Sequence, residues 1–216
     1  MVNELINECK KTLQDNLVSV IRFGTEGEKN NILIVTKTLK FRDLEKIKPI
    51  INKYSKRTKI IPVLFTENGL KDGSDVFPLE FLDIKYPHHV LFGKKVLEEV
   101  KFEKKHVRRQ LEFELRSKLI HLRENYLWIK KSKDLKTLLK SAIPSVMPLF
   151  YGLLFLKDIN PPTELYPLFR KVQDIYGVDT SLFRKIRQDK FDEESVVSEL
   201  MELLETLINL VDKLEV

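Results

Sequence analysis

Residues 17–35 read LVSVIRFGTEGEKNNILIV. Two β-rich runs flank the polar stretch Gly24-Thr25-Glu26-Gly27-Glu28-Lys29-Asn30. Val18, Val20 and Phe23 on one side, with Ile32, Ile34 and Val35 on the other, favour a pleated, buried surface. Gly24 and Gly27 permit a tight turn and would let a phosphate approach the backbone N–H groups. The stretch therefore predicts a β-hairpin on which the first half of the chain is built.

Working outward, Leu5, Ile6, Cys9 and Leu13 recur at helical spacing before the hairpin. After it, Phe41, Leu44, Ile47, Ile50, Ile51 and Tyr54 mark a second helix, and Lys59 to Thr66 reads as a third strand. Pro62 lacks an amide donor, which places that strand at an edge or a bulge. Thr66 suits an N-cap for a helix starting at Glu67. Asp75 is expected to cap the next helix, with Pro78 in its first turn. His88 to Phe92 reads as a short strand closed by Gly93. Helices and strands alternate over residues 1–95, as in a small sheet domain.

From about residue 96 the period is helical throughout. Val107, Leu111, Leu115, Leu119, Leu122, Tyr126 and Ile129 form the expected buried stripe of one long helix over 103–129. Residues 135–156 are apolar all round, and Pro144 and Pro148 are expected to kink or break that helix. Thr163 is expected to cap a helix over 165–176 that Gly177 ends. A short basic segment, 180–187, and an amphipathic helix over 193–214 complete a bundle over 96–216. The expected fold class is α+β, a small mixed β-sheet domain followed by an all-α helical bundle.

A helix, a strand ending in Gly24-Thr25 and a second strand resemble the opening of the nucleotidyltransferase superfamily, which includes polymerase beta and kanamycin nucleotidyltransferase. Gly24-Thr25 matches the family's Gly-Ser. Asn31-Ile32-Leu33 stands where its Asp-x-Asp falls, and the connecting loop is shorter than usual. The resemblance covers roughly the first half of the chain. The helical second half is similar in order and size to the C-terminal part of kanamycin nucleotidyltransferase and to HEPN domains. What the resemblance implies is metal-dependent nucleotidyl transfer, with magnesium held by three carboxylates. An amide at Asn31 and a hydrocarbon at Leu33 cannot supply that charge, and Lys59 to Thr66 contains no acid.

Several residues remain candidates. Gly24, Thr25 and Gly27 are placed to cradle a phosphate, or to make an ordinary hairpin turn. Glu26 and Glu28 lie in the turn. Glu80 and Asp83, spaced to share a helix face, are the candidates for relocated metal ligands or a general base. Arg116 and Lys118 are candidates for binding a phosphate, against ion pairing within their own helix, Arg116 with Glu112. Arg116 and His121 have the separation of the arginine–histidine pair of HEPN ribonucleases, whose following polar residue is represented only by Ser117. Lys104, Lys105, His106, Arg108 and Arg109 form one basic cluster, and Lys130, Lys131 and Lys133 another. His88 and His89 lack metal partners at useful spacing.

The chain has 216 residues, 43% of them hydrophobic, and a formal charge of +6. That suffices for a packed core and permits an anionic partner. Cys9, the single cysteine, excludes an internal disulfide and multi-cysteine zinc modules. Residues 1–11 do not read as a signal peptide, and the apolar run 143–156 is too short to cross a bilayer. A cytoplasmic protein without membrane contact is expected. Three functions follow as expectations: a degenerate nucleotidyltransferase-fold protein that keeps nucleotide or nucleic-acid binding; an active transferase using Glu80, Asp83 and magnesium; or a module for RNA, a protein partner or self-association that works through its helices.

Overall fold

The computed structural model describes residues 2–25, 31–58 and 62–215. Helix α1 (Val2–Leu13) leads through a single 3₁₀ turn into strand β1 (Leu17–Phe23). Strand β2 (Asn31–Thr36), helix α2 (Phe41–Thr58) and strand β3 (Val63–Thr66) follow. Next come α3 (Glu67–Asp72), α4 (Pro78–Lys85) and β4 (His88–Gly93). The remainder is helical: α5 (Lys104–Trp128), α6 (Ser132–Leu156), α7 (Leu165–Tyr176), α8 (Ser181–Arg187) and α9 (Glu193–Asp212). The fold is α+β, a small mixed sheet and a helical C-terminal part.

The sheet order is β3-β2-β1-β4. Strand β1 runs antiparallel to β2 and β4, and β2 runs parallel to β3. The edge position that Pro62 implies for β3 is observed. Residues 59–61 of that expected strand lie outside the described residues. Thr66 caps α3 as expected, its Oγ1 accepting from the N–H of Gly69 at 2.9 Å.

Two compact units are present: Met1–Phe77 with Asp83–Phe102, and Pro78–Leu82 with Glu103–Val216, where the sequence suggested a boundary at 95/96. In the first, Leu5, Ile6, Cys9 and Leu13 of α1 pack with Ile47 and Tyr54 of α2 against Val20, Ile32 and Ile34 of the sheet. Alternation places Ser19, Ile21, Leu33 and Val35 away from that layer, and these too are buried. A sheet apolar on both faces explains why β1 and β2 are continuous apolar runs.

In the second unit α6 packs on α5, α7, α8 and α9. Phe150, Phe169 and Phe183 meet at its centre, with ring centroids 4.9–5.8 Å apart. Tyr176 donates its hydroxyl proton to the Leu153 carbonyl at 2.6 Å, and burial raises its pKa. Helix α6 runs unbroken through Pro144 and Pro148, so of the expected kink or break the break does not occur. Eleven of its large side chains are buried, and at roughly 1.5–3 kcal/mol each this packing outweighs the loss of two amide donors. By length and composition α6 could cross a membrane, and 61% of its most apolar window is buried inside the protein.

Two expected caps are corrected. Glu164, not Thr163, stands at the N-cap of α7, without a side-chain cap bond. Asp75 precedes α4 by a turn in which the N–H groups of Val76 and Phe77 donate to the Gly73 carbonyl. Pro78 takes the first helical position, where its missing N–H costs nothing.

Candidate functional site

At Gly24, the first residue after β1, the amide is not open to a phosphate. Gly24 has φ +119°, the conformation that calls for glycine, and its N–H donates to the Pro87 carbonyl at 3.0 Å. That amide is already committed and does not face a ligand. Thr25 is buried, at 3% exposure. Glu26, Gly27 and Glu28 lie outside the described residues.

Strand β2 places the two positions aligned with the family's acids in unlike surroundings. Asn31 is partly exposed and pairs across from Phe23. Leu33 is fully buried, on the sheet face away from α1 and α2. A carboxylate there would stand in the core, since Ile21 across the ladder and Val35 along the strand are also fully buried. Strand β3, Val63–Thr66, carries no acid.

Glu80 is held by Gln110, whose Nε2 donates to its carboxylate at 2.7 Å while its Oε1 accepts from the N–H of Leu79 at 2.9 Å. Gln110 thereby satisfies an otherwise orphaned amide in the first turn of α4. Asp83 is half-buried and has an interaction of its own. Among the described residues no group of three or more His, Cys, Asp or Glu side chains is gathered as a metal site.

Arg116 pairs with Glu112 as its spacing suggested, and also with Asp212 at the end of α9. The hydrogen bond to Asp212 is the main reason its pKa is raised. Lys118 lies 3.6 Å from Glu114. His121 is exposed, 3.1 Å from Glu124. Most of the basic cluster at the start of α5 is likewise neutralised: Lys104 by Asp158, Lys105 by Glu103, and Arg108 by Glu112 and the Asp212 and Leu214 carbonyls.

The cavities among the described residues of the helical unit include a smaller and a larger one. One, of about 210 Å³, opens between α5, α6 and α9, with Lys118, His121 and Asn125 beside Leu122, Leu139 and Leu204. The other, of about 440 Å³, lies between α7 and α8 and is lined by Tyr166, Phe169, Arg170, Gln173, Thr180 and Arg184. Its polar wall is braced, because Thr180 Oγ1 lies 3.2 Å from both the Phe169 carbonyl and Gln173 Oε1. The Arg184 guanidinium sits 5.5 Å from the centre of the Tyr166 ring. Arg170 is exposed, with only a 3.9 Å approach to Asp174. Two cations beside an accessible aromatic ring suit a ligand with a flat ring and an anionic group. Sequence reading did not single out these residues. The i,i+4 pair Tyr166 and Arg170 was the available signal, and the contribution of Arg184 depends on how α8 folds back.

Comparison with known proteins finds no matching family and no matching curated protein.

Proposed function

We propose that the protein is a nucleotidyltransferase-like protein that binds a nucleotide or single-stranded nucleic acid without performing metal-dependent nucleotidyl transfer. The observation that carries this reading is that neither β2, with Asn31 and Leu33, nor β3 bears a carboxylate. Metal-dependent transfer needs solvated carboxylates to hold magnesium against a triphosphate. The order of elements supports the frame of the argument: a helix, an antiparallel β1–β2 pair, a helix, and a third strand parallel to β2.

For the binding part, the cavity between α7 and α8 offers what Gly24 does not. A base stacks on the Tyr166–Arg184 pair, and a phosphate is taken by Arg170. A cavity of about 440 Å³ lies within the usual range for small-molecule sites.

Calorimetric titration with ATP, GTP and a short single-stranded RNA, with and without magnesium, tests the reading. Binding that is indifferent to magnesium and weakened by Arg184→Ala or Arg170→Ala is expected. Magnesium-dependent tight binding overturns it, as does transfer of labelled nucleotide to an acceptor that Glu80→Gln abolishes.

A further inference from the structure

Helix α5 is apolar on two opposite sides. Val107, Leu111, Leu115, Leu119 and Leu122 are buried. On the other side Phe113, Ile120 and Leu127 follow one another at seven-residue intervals, 68%, 52% and 84% exposed, and Trp128 adjoins them at 84%. A seven-residue interval drifts only about 20° per repeat around a helix, so the three form one stripe. It faces about 180° from the buried stripe and runs for roughly 20 Å at 1.5 Å per residue. The four side chains expose on the order of 500 Å² of mostly apolar surface, the upper range for a monomer.

The charges beside the stripe are arranged by sign. Arg109 lies on the same face one turn before Phe113, exposed and without an ion pair among the described residues. Glu124 lies one turn after Ile120, exposed and, among the described residues, paired with His121 alone. Ser117 is the small residue between them.

We propose that α5 is the self-association surface of this protein, pairing antiparallel with α5 of a second copy about a two-fold axis between Arg116 and Ser117. That axis sets several matches at once. Phe113 of each copy meets Ile120 of the other, Arg109 meets Glu124, and Lys105 reaches the ring of Trp128. Each match occurs twice, as a two-fold interface requires. Parallel pairing in register would instead set Arg109 against Arg109 and Glu124 against Glu124, so charge selects the antiparallel arrangement. Ser117 beside the axis lets the helices approach closely. The stripe with its polar rim approaches the roughly 800 Å² per partner of a specific interface.

Sedimentation equilibrium of the full chain up to roughly 100 μM tests the assignment. A species of twice 25.5 kDa that dissociates on dilution is expected. Ile120→Glu should abolish it while the helical circular dichroism signal and melting curve persist. Arg109→Glu, an exposed change that leaves the fold intact, should weaken association about tenfold, and adding Glu124→Arg should restore it. Mixed Arg109→Cys and Glu124→Cys chains should form an intermolecular disulfide on oxidation, the buried native Cys9 taking no part. A parent chain that stays monomeric throughout overturns the proposal. So does a dimer indifferent to Ile120→Glu, or a charge reversal that Glu124→Arg fails to rescue.

Discussion

Arg116 on α5 holds Asp212 on α9 through one guanidinium nitrogen, Nη2, at 2.8 and 3.0 Å from the two carboxylate oxygens. The link ties the middle of one helix to the last turn of another. It also occupies an arginine that the sequence offered as a phosphate ligand. Both side chains are partly exposed, so salt should screen the attraction. Arg116→Gln is expected to lower the melting temperature slightly at low ionic strength and hardly at all at high salt. Nucleotide affinity should not change. A large loss of affinity in this variant would return Arg116 to the binding site.

Introducing acids into β2 at the positions that the resemblance sets against Asp-x-Asp separates those two positions. Asn31→Asp alone should be nearly neutral, since Asn31 is partly exposed. Leu33→Asp buries a carboxylate among Ile21, Val35 and their neighbours, and should cost about 3 kcal/mol or more. Magnesium should not raise the melting temperature of the double variant. A clear magnesium-dependent rise would show that the ion reaches residue 33, and would revive the metal-site alignment.

Gly93 closes β4 with φ +86°, and a Cβ there would stand 2.0 Å from the Val18 carbonyl oxygen. That oxygen already accepts from the N–H of Lys94 at 3.2 Å, and Ser19 Oγ lies 2.9 and 2.8 Å from the carbonyls of Phe92 and Lys94. The crowded atom is backbone inside the β1–β4 ladder and cannot move aside. Gly93→Ala should therefore destabilise by about 2–4 kcal/mol, read by chemical denaturation. Gly177→Ala is the control: nothing lies near its Cβ position, so only its φ of +66° is strained and the cost should be about 1 kcal/mol.

Thr36 ends β2 fully buried, and its hydroxyl oxygen has no hydrogen-bond partner among the described residues. A buried hydroxyl without a partner has lost its water and gained nothing in return. Thr36→Val keeps the shape and removes the polar atom. It should leave stability unchanged or raise it by up to about 1 kcal/mol. A loss of more than that amount would reveal a bonded role for the hydroxyl.

Cys9 lies fully buried between α1, α2 and the sheet, and burial raises its thiol pKa from 9.0 to about 11. A raised folded pKa means that the unfolded chain loses its thiol proton first. The contribution is complete below about pH 9 and disappears as pH rises through about 11. The stability difference between the parent and Cys9→Ala should therefore shrink across that interval, measured by urea unfolding at several pH values. Thiol reagents should modify native Cys9 only as fast as the protein opens.

The sequence disclosed most of the frame through periodicity. The register of Leu5, Ile6, Cys9 and Leu13 named the buried side of α1, and Val107 to Leu122 named that of α5. Tyr126, expected in the same stripe, is exposed, because no neighbouring element among the described residues covers the end of the helix. Local chemistry fixed several ends: the Thr66 cap, Pro78 in a first turn, and Gly177 in the left-handed conformation that ends α7. Pro144 and Pro148 do not break α6, because packing on four neighbouring helices offsets a penalty that is local. The candidate sites were less legible. Gly24 has the backbone freedom of a phosphate loop, but its amide is taken by Pro87, a residue 63 positions away in sequence. The same holds for Glu80 and Gln110.

By itself, then, the sequence determined where helices and strands form and which side of each is apolar, because those properties repeat over a few residues of one segment. It also determined that β2 and β3 carry no carboxylate, since no fold can give Asn31 or Leu33 a charge. Tertiary structure alone decided that Leu33 is sealed in the core and that Arg116 is neutralised by Asp212. It alone set Tyr166, Arg170 and Arg184 around one cavity and left Phe113, Ile120 and Leu127 uncovered. Burial and pairing depend on partners distant in the chain, and no local pattern records which partner arrives.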